Sequence, residues 1–371
     1  MARALDAIVE SYARDAALER ASTIPAEWYV DPRVFDLECR TVFAGSWQHA
    51  ARVDQLRECG RYVAAELAGE PIVIVRGHDD VIRGFFNVCR HHAAAVVTEP
   101  EGSAAVLRCP YHGWTYSLEG ELKGMPDFAG VCDFDRAANG LVPIETAPWE
   151  HWIFARPEHG DLSFDEFAGA DLISQIRALQ LGSLHWMERR HYLLDCNWKV
   201  FVDNYLDGGY HVPHLHKGLH SVLDYGTYTI EIGERFCLQS SPIVAEGAEP
   251  GTAAVRTGDR AFYYWLYPNF MINRYGESMD TNLVIPRAID KTEVIFDFYF
   301  QDVSERARAA NLASIAVSEQ IQDEDVSICA SVQRGLRSRA YTAGRLSVRR
   351  EAGEHVFHRL LYDDLKAGLA R

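Results

Sequence analysis

Two short segments of this chain carry pairs of residues that bind metals. Cys89 and His91 are separated by one residue in the first segment, and Cys109 and His112 by two residues in the second. Thiolate and imidazole groups bind both zinc and iron, and a structural zinc site needs only four such ligands. The four residues therefore predict either a zinc site or an iron–sulfur cluster.

The spacing within the two pairs favours the cluster. In a Rieske [2Fe–2S] cluster both cysteines bind one iron and both histidines bind the other, which suits a Cys-x-His loop that faces a Cys-x-x-His loop. Neutral imidazoles in place of two thiolates make the cluster less negative and easier to reduce, so it can relay single electrons. Pro110 and Gly113 fit tight loop tips at which backbone amides approach the cluster sulfurs.

A second group of candidate metal ligands lies in the segment DNYLDGGYHVPHLHKG, residues 203–218. His211 and His216 are five residues apart, close to the spacing that places two side chains on one side of a helix. A histidine-rich surface loop would give the same pattern, because His214 and His220 also lie nearby. A third ligand is needed to distinguish a metal site from such a loop.

The third candidate ligand is Asp325, in a long helix predicted near residues 305–338. Three apolar residues share its stripe at helical spacing: Ile321, Ile328 and Val332. An aspartate on a buried stripe needs a cation or a metal, and two histidines with one carboxylate form the facial triad of non-haem Fe(II) oxygenases. A salt bridge to an arginine such as Arg334 is the alternative. Asp323 and Glu324 lie off this stripe and are predicted to face solvent.

The patterns of apolar and polar residues divide the chain into three parts. Residues 1–45 are predicted to be a helical N-terminal segment that packs on the catalytic domain, and residues 46–155 a small β domain around the cluster loops. Residues 156–371 combine helical pieces, an extended antiparallel sheet and a long helix. Strands closed by a helix predict an α+β fold with a pocket between the sheet and the helix.

Composition excludes several classes of function. The chain of 371 residues is long enough for two domains, and its net charge of −16 argues against nucleic-acid binding. We expect a cytoplasmic protein that does not enter the membrane, because neither a targeting segment nor an apolar run of membrane-spanning length is apparent. Six further cysteines lack paired spacing and are predicted to be reduced thiols: Cys39, Cys59, Cys132, Cys196, Cys237 and Cys329.

Several segments together resemble the Rieske non-haem iron oxygenase alpha subunits, and within that family the choline monooxygenases. The resemblance covers roughly residue 85 to the C-terminus. The segments that carry it are CRHH, CPYHGWTY, NWKVFVDNYLDGGYHVPHLHKG, YPNFMINRYGESMDTNLVIP, IQDEDVSICASVQRGLRSRAY and VFHRLL. It implies a Rieske β domain followed by a catalytic domain of the helix-grip type, in which helices flank a large antiparallel sheet.

The resemblance also implies a role for each candidate ligand. Molecular oxygen would be the co-substrate. Many relatives carry the acid that bridges the two metal centres three residues before the first histidine, where this chain has Gly208. Asp207, one position earlier, is our candidate for the bridge. The cluster ligands would be Cys89, His91, Cys109 and His112, and the mononuclear Fe(II) ligands would be His211, His216 and Asp325.

Such an oxygenase needs partners. A ferredoxin or a flavin-containing reductase would supply electrons, because the chain has no GxGxxG fingerprint between a strand and a helix and no second cluster motif. In the family the cluster of one subunit is understood to serve the iron of its neighbour. We therefore expect a homotrimer or a dimer of trimers, since a head-to-tail ring lets each subunit donate and receive electrons.

Aromatic residues bear on the substrate, because ring faces attract a quaternary ammonium ion. Alternation along one predicted strand places Tyr263, Trp265 and Tyr267 on one face and Phe262 and Tyr264 on the other. Aromatic strands also pack simply as core. Further candidates for a substrate pocket are Trp186, Tyr205 and Tyr210.

Three hypotheses follow for the function. The first is an oxygenase that hydroxylates a carbon next to a quaternary or tertiary amine, with choline to betaine aldehyde as the named case. The second keeps both metal centres but changes the substrate to glycine betaine, carnitine, stachydrine or an aromatic ring. The third is a non-catalytic electron-transfer or structural-metal protein.

Overall fold

The computed structural model describes residues 3–244 and 248–370, and the chain divides into two compact units. One unit is Phe43–Phe167, and the other combines Met1–Val42 with Ala168–Arg371. The sequence patterns had placed the boundaries after residues 45 and 155. The second boundary falls later because Phe164 packs its ring against Phe154, with ring centroids 4.7 Å apart.

The unit Phe43–Phe167 is built from antiparallel sheets. Its strands are β1 (Gln48–Arg52), β2 (Arg61–Leu67), β3 (Glu70–Arg76), β4 (Ile82–Phe86), β5 (Glu101–Ser103), β6 (Leu107–Arg108), β7 (Thr115–Tyr116), β8 (Leu122–Gly124), β9 (Pro143–Trp149) and β10 (Trp152–Arg156). Seven of them pair in the order β1-β10-β9-β4-β3-β2-β5, and three short strands pair as β6-β7-β8.

Strand β3 shows why this unit folds as it does. Its apolar run of four residues is completely buried, although each residue points to the opposite side of the sheet from the next. Ile72 and Ile74 join one hydrophobic cluster, while Val73 and Val75 join another, which also contains Cys89 and other residues of the metal-binding loops. The strand therefore links the core of the sheet to the core beneath those loops.

The other unit contains a second antiparallel sheet of seven strands. These strands are β11 (His185–Leu194), β12 (Thr229–Ile232), β13 (Phe236–Pro242), β14 (Arg260–Leu266), β15 (Phe270–Tyr275), β16 (Ser278–Ala288) and β17 (Lys291–Phe300). They pair in the order β11-β17-β16-β15-β14-β13-β12. This large sheet and the helices that accompany it confirm the predicted α+β fold.

The α-helices of the described residues vary greatly in length. They are α1 (Leu5–Val9), α2 (Glu27–Val30), α3 (Pro32–Glu38), α4 (Phe164–Ala168), α5 (Ala170–Ala178), α6 (Trp198–Leu206), α7 (Val212–Leu215), α8 (Lys217–Val222), α9 (Pro250–Ala253), α10 (Arg308–Leu336) and α11 (Ala352–Leu369). None of them combines the length and the hydropathy of a membrane-spanning segment.

A buried ion pair ties the N-terminal segment to α6. The Lys199 ammonium lies 2.7 Å from the Glu38 carboxylate, and both side chains are fully buried. The indole Nε1–H of Trp198 donates to the other carboxylate oxygen of Glu38 at 2.9 Å. Removing either partner alone would leave an uncompensated buried charge, so we expect the loss of Glu38 or Lys199 by itself to be strongly destabilising.

Helix α10 buries a different stripe from the one predicted. Ile328 and Val332 were expected on the buried side, but they are 39% and 42% exposed. The buried stripe around Asp325 is largely polar: Ser318, Gln322, Cys329 and Gln333. Two of these polar groups have partners across the fold: the Gln333 side-chain oxygen accepts the Asn197 backbone N–H at 2.7 Å, and the Ser318 hydroxyl accepts from Arg256 at 2.7 Å. Asp325 is buried as predicted.

Candidate metal centres and the adjoining cavity

Residues 89–94 and 109–114 form two loops with the same backbone pattern. In each loop the cysteine N–H donates to the carbonyl five residues later, at 2.8 and 2.9 Å. The cysteine carbonyl accepts the N–H four residues later, at 3.0 and 3.1 Å. The residue at that fourth position is left-handed in both loops, with φ of 60° at Ala93 and 74° at Gly113. Gly113, predicted at a tight loop tip, lies at this turn.

These loops bring the four predicted cluster ligands together. Cys89 and Cys109 are 3% and 2% exposed, and burial raises the pKa of the Cys109 thiol. The rings of His91 and His112 lie 4.7 Å apart, with His112 on the surface. Nδ1 of His91 is buried without a hydrogen-bond partner in the described residues. A buried imidazole nitrogen without a partner is costly unless a metal binds it, so the residues fit a cluster.

Aromatic side chains surround these histidines. His91 stacks on Trp114, with centroids 4.7 Å apart and planes 5° from parallel. On the outer side, the exposed rings of His92 and Tyr111 lie 5.3 and 3.7 Å from the ring of His112. Neither His92 nor Tyr111 could be predicted from the sequence, because neither has a ligand role in the Cys-x-His spacing.

The second set of candidate ligands converges at the end of α6. His211 precedes the one-turn helix α7 and His216 follows it, so the two residues bracket a turn and do not share the face of one continuous helix. Nε2 of His216 lies 3.1 Å from Oδ1 of Asp325, and Nε2 of His211 lies 4.0 Å from the same oxygen. The structure therefore joins two histidines and one carboxylate, the donor set of a facial triad.

Two further carboxylates hold the outer nitrogens of these histidines. Oδ2 of Asp207 lies 2.6 Å from Nδ1 of His211, and Oε2 of Glu324 lies 2.6 Å from Nδ1 of His216. Each carboxylate favours a proton on Nδ1, which leaves the Nε2 lone pair for a metal. Burial alone would lower the pKa of His216, but its bonds to Asp325 and Glu324 raise that pKa above its usual value.

The contact with His216 corrects the prediction for Glu324, which was expected on the solvated face. Asp323 does lie on the exposed side of α10. Asn204 is a residue that the sequence analysis missed: its side-chain N–H donates to Oδ1 of Asp325 at 2.8 Å. No spacing rule identifies Asn204 or Glu324, because their partners are more than 100 residues away in sequence.

The backbone explains why the acid lies at position 207. Gly208 has a φ of 67°, and a Cβ there would collide with the carbonyl oxygen of Arg350. An acidic residue therefore does not fit at position 208. Asp207 accepts the backbone N–H groups of Tyr210 and His211, each at 3.0 Å, in addition to its contact with the His211 ring.

A cavity of about 110 Å³ adjoins the triad. His211, His216 and Asp325 line it together with a shell of aromatic residues. Those residues are Phe201, Tyr205, Tyr228, Tyr263, Tyr275 and Phe296. Two charged residues, Arg256 and Asp280, also face it. The site therefore combines a metal-binding end with aromatic walls.

Two of the six predicted pocket residues, Tyr205 and Tyr263, line this cavity. Trp265 lies on the same strand as Tyr263 and Tyr267 directly follows that strand, but α11 covers this part of the sheet. The ring of Trp265 lies 5.5 Å from that of Phe357, and the Tyr267 hydroxyl donates to Asp364 at 2.6 Å.

The other two predicted pocket residues also lie outside the cavity lining. Trp186 donates its indole N–H to Asp297 at 2.8 Å, and Tyr210 is 49% exposed. In their place the structure brings Tyr228, Tyr275 and Phe296 to the cavity. These three come from separate elements of the sheet and its connections, so only the tertiary fold places them together.

Comparison with known proteins gives the same organisation. The family described as "Rieske [2Fe-2S] domain" matches residues 46–135, and the family described as "Ring hydroxylating alpha subunit (catalytic domain)" matches residues 181–367. The chloroplastic choline monooxygenase of Arabidopsis thaliana is 40% identical over 359 residues, covering 94% of this chain and 84% of that protein.

More distant relatives extend over nearly the whole chain. The carnitine monooxygenase oxygenase subunit of Escherichia coli (strain K12) is 29% identical, covering 92% of this chain and 94% of that protein. The solved structure of a quaternary ammonium Rieske monooxygenase, described with carnitine oxidation by gut microbiota and inter-subunit electron transfer, superposes with a TM-score of 0.83. It is 26% identical and covers 95% of this chain and 98% of that chain.

This chain belongs to the Rieske non-haem iron oxygenase family, on the monooxygenase branch. The prediction of a Rieske cluster in preference to zinc is confirmed, and so are the mononuclear iron and molecular oxygen.

Proposed function

We propose that the protein hydroxylates a quaternary ammonium compound, with choline as the first candidate and betaine aldehyde as the product. The aromatic cavity that opens onto His211, His216 and Asp325 carries this proposal. The relatives of this protein include proteins named choline monooxygenase and carnitine monooxygenase, which supports a substrate of the same chemical class.

The aromatic walls suit a cation that cannot form hydrogen bonds. The hydroxyl of Tyr205 donates to Asn273 at 2.8 Å, and the hydroxyl of Tyr228 donates to Gln239 at 3.1 Å. The hydroxyls of Tyr263 and Tyr275 bond to each other at 3.2 Å. Since these hydroxyls already have partners, Tyr205, Tyr228 and Tyr263 offer ring surface to a ligand, and ring surface is what attracts a trimethylammonium group. The Arg256 guanidinium lies over the ring of Tyr275, 4.5 Å from its centroid.

The reaction consumes two electrons and two protons. Choline, molecular oxygen, two electrons and two protons give the geminal diol at the alcohol carbon and one water, and the diol loses a second water to become betaine aldehyde. The bound iron and cluster supply oxygen binding and electron transfer, and a separate ferredoxin or flavin reductase provides the electrons.

We assign the metal ligands from the geometry of the two sites. Cys89, His91, Cys109 and His112 hold the cluster, and His211, His216 and Asp325 hold the mononuclear iron.

Asp207 connects the two centres through His211, with the cluster contributed by a neighbouring subunit of a homotrimer or a dimer of trimers. The contact between Asp207 and His211 supports this role, as does the solved relative described with inter-subunit electron transfer.

Oxygen uptake with a panel of substrates tests the function. The panel contains choline, glycine betaine, carnitine, stachydrine and an aromatic ring compound, supplied to anaerobically purified holoenzyme with a ferredoxin and its reductase. We expect choline-dependent uptake with equimolar betaine aldehyde. If no ammonium compound stimulates uptake, the proposal is wrong.

Arg256 favours a second candidate, an ammonium substrate that also carries a carboxylate. This cavity residue is 3% exposed, and its guanidinium donates to the hydroxyls of Ser314 and Ser318 at 3.0 and 2.7 Å. Its Nε–H has no hydrogen-bond partner in the described residues. The carboxylate of glycine betaine or carnitine would supply one.

The variant Arg256→Gln separates the two candidates. For a carboxylate substrate, kcat/KM should fall by about tenfold or more, because a charge-assisted hydrogen bond is lost. For choline, kcat/KM should stay the same or rise, since a buried positive charge has been removed near a cationic substrate.

A further inference from the structure

Asp280, on strand β16, is a buried carboxylate in the wall of the cavity. It is 5% exposed, and both of its hydrogen bonds go to the same oxygen. The side-chain N–H groups of Asn273 and Asn282 donate to Oδ1 at 2.7 and 3.2 Å. Within the described part of the chain, no donor reaches Oδ2. One carboxylate oxygen is thus left for a ligand.

This carboxylate also lacks a close cation. No Lys, Arg or His nitrogen of the described residues lies within 4.0 Å of it, although Arg256 lines the same cavity. Burial raises the pKa of Asp280, and the more distant Arg256 charge and the two amide donors oppose that rise. A buried carboxylate with one satisfied oxygen and no ion-pair partner is costly, so it is a site for a cation.

The surroundings of Asp280 define which cation fits. The Asn273 side chain donates a hydrogen bond to Oδ1 of Asp280 and accepts one from the hydroxyl of Tyr205. One side chain therefore positions both the carboxylate and an aromatic wall of the cavity. An ammonium ion with hydrogens would need acceptors on several sides. A trimethylammonium group needs only ring faces and an opposite charge, and the cavity provides both.

We propose that Asp280 is the counter-ion of the substrate's ammonium group and thereby determines the specificity of the cavity for cations. This inference rests on the proposed function, since it assigns a partner to the charge of that substrate. The tyrosine rings recognise the shape of the trimethylammonium group, and Asp280 recognises its charge.

A neutral isostere of choline tests whether shape and charge are recognised by different residues. In 3,3-dimethylbutan-1-ol a carbon replaces the nitrogen, so the shape is kept and the charge is removed. The dissociation constants of both compounds are measured by calorimetry on anaerobic, reduced holoenzyme. The variants are Asp280→Asn and, as a matched control, Glu277→Gln, which removes the same charge from an exposed position on the same hairpin.

We expect the wild type to bind choline about 10- to 100-fold more tightly than the neutral alcohol, because a desolvated charge pair is lost with the alcohol. Asp280→Asn should remove this preference by weakening the binding of choline alone, and Glu277→Gln should keep the preference. If Asp280 has only a structural role, Asp280→Asn should instead weaken the binding of both compounds equally. That result overturns the inference, and so does a wild type that binds the two compounds alike or binds neither.

The wild-type comparison keeps the test valid if Asp280→Asn fails to retain its metals. The inference and the proposed function also fail in different ways. Charge-dependent binding without oxidation of any ammonium compound would contradict the function alone. Oxidation of choline by an enzyme whose choline affinity does not depend on charge would contradict the inference alone.

Discussion

The cluster loops and the iron centre hold their candidate ligands in opposite ways. The candidate cluster ligands lie within 24 residues of sequence, on two loops of identical backbone pattern, and His112 reaches the surface. The candidate iron ligands come from segments 109 residues apart, and His216 and Asp325 are buried. Backbone turns position the first set, whereas carboxylates from outside the triad orient the histidines of the second.

This difference matches what each centre does. An electron relay must be reached by a protein partner, so the exposed position of His112 suits it. Oxygen chemistry on a small substrate benefits from a site that excludes water and fixes its ligands before the substrate arrives. The two centres can therefore be disabled separately, and the following predictions use that separation.

The largest effect is expected from Asp325→Ala. Removing the carboxylate of the triad should release the mononuclear iron and lower product formation by about 10³-fold or more. The cluster should remain, because its ligands lie in the other unit. Iron and sulfide counting with a visible spectrum measures both. Asp323→Ala, an exposed neighbour on α10, is the control and should keep both metals.

The reciprocal variant is Cys109→Ser. We expect loss of the cluster absorption and the acid-labile sulfide, together with some loss of stability, because Cys109 belongs to a hydrophobic cluster. The iron at His211 and His216 should stay. Cys132→Ser, at an exposed cysteine of the same unit, should change neither metal. Loss of both metals from Cys109→Ser would show that the centres are not independent.

A smaller effect is expected from Glu324→Ala, which removes the partner of His216 Nδ1 but no metal ligand. The affinity for Fe(II) should fall by about 10- to 100-fold, as measured by competition with a chelator. The cluster spectrum should be unchanged. An unaltered iron affinity would contradict the role that we give to this carboxylate.

The smallest effect is a difference in acid sensitivity between the centres. The bonds of His216 to carboxylates raise its pKa, whereas burial lowers the pKa of His91. Protons compete with metals for imidazole, and a raised pKa extends that competition to higher pH. As the pH falls from about 7 to about 5, a chelator should therefore remove the mononuclear iron before the cluster loses its absorption. Loss in the opposite order would contradict this account.

The same contrast explains what the sequence could predict. The cluster ligands and both histidines of the triad stand close together in the chain, so their spacing alone identified them as candidates. Asp325 was found because an aspartate interrupts an apolar helical stripe, although the helix actually buries Gln322 and Cys329 and exposes Ile328.

Residues that act through tertiary contacts could not be predicted in this way. Glu324 was expected in solvent, and Trp265 was a candidate for the pocket with core packing as the alternative, because the positions of α10 and α11 against the sheet are not encoded in any local pattern. Asp280 shows the same limit. The antiparallel sheet that contains its strand was predicted, but its two amide partners and the cavity beside it depend on three-dimensional packing.

A single-turnover experiment tests the central claim most directly. Enzyme with both centres reduced is mixed with choline and oxygen in the absence of any reductase, so that one electron comes from the cluster and one from the iron. We predict one betaine aldehyde for each intact pair of centres, formed as the cluster reoxidises. Reoxidation of the cluster without a product from choline or from any other ammonium compound would contradict the account.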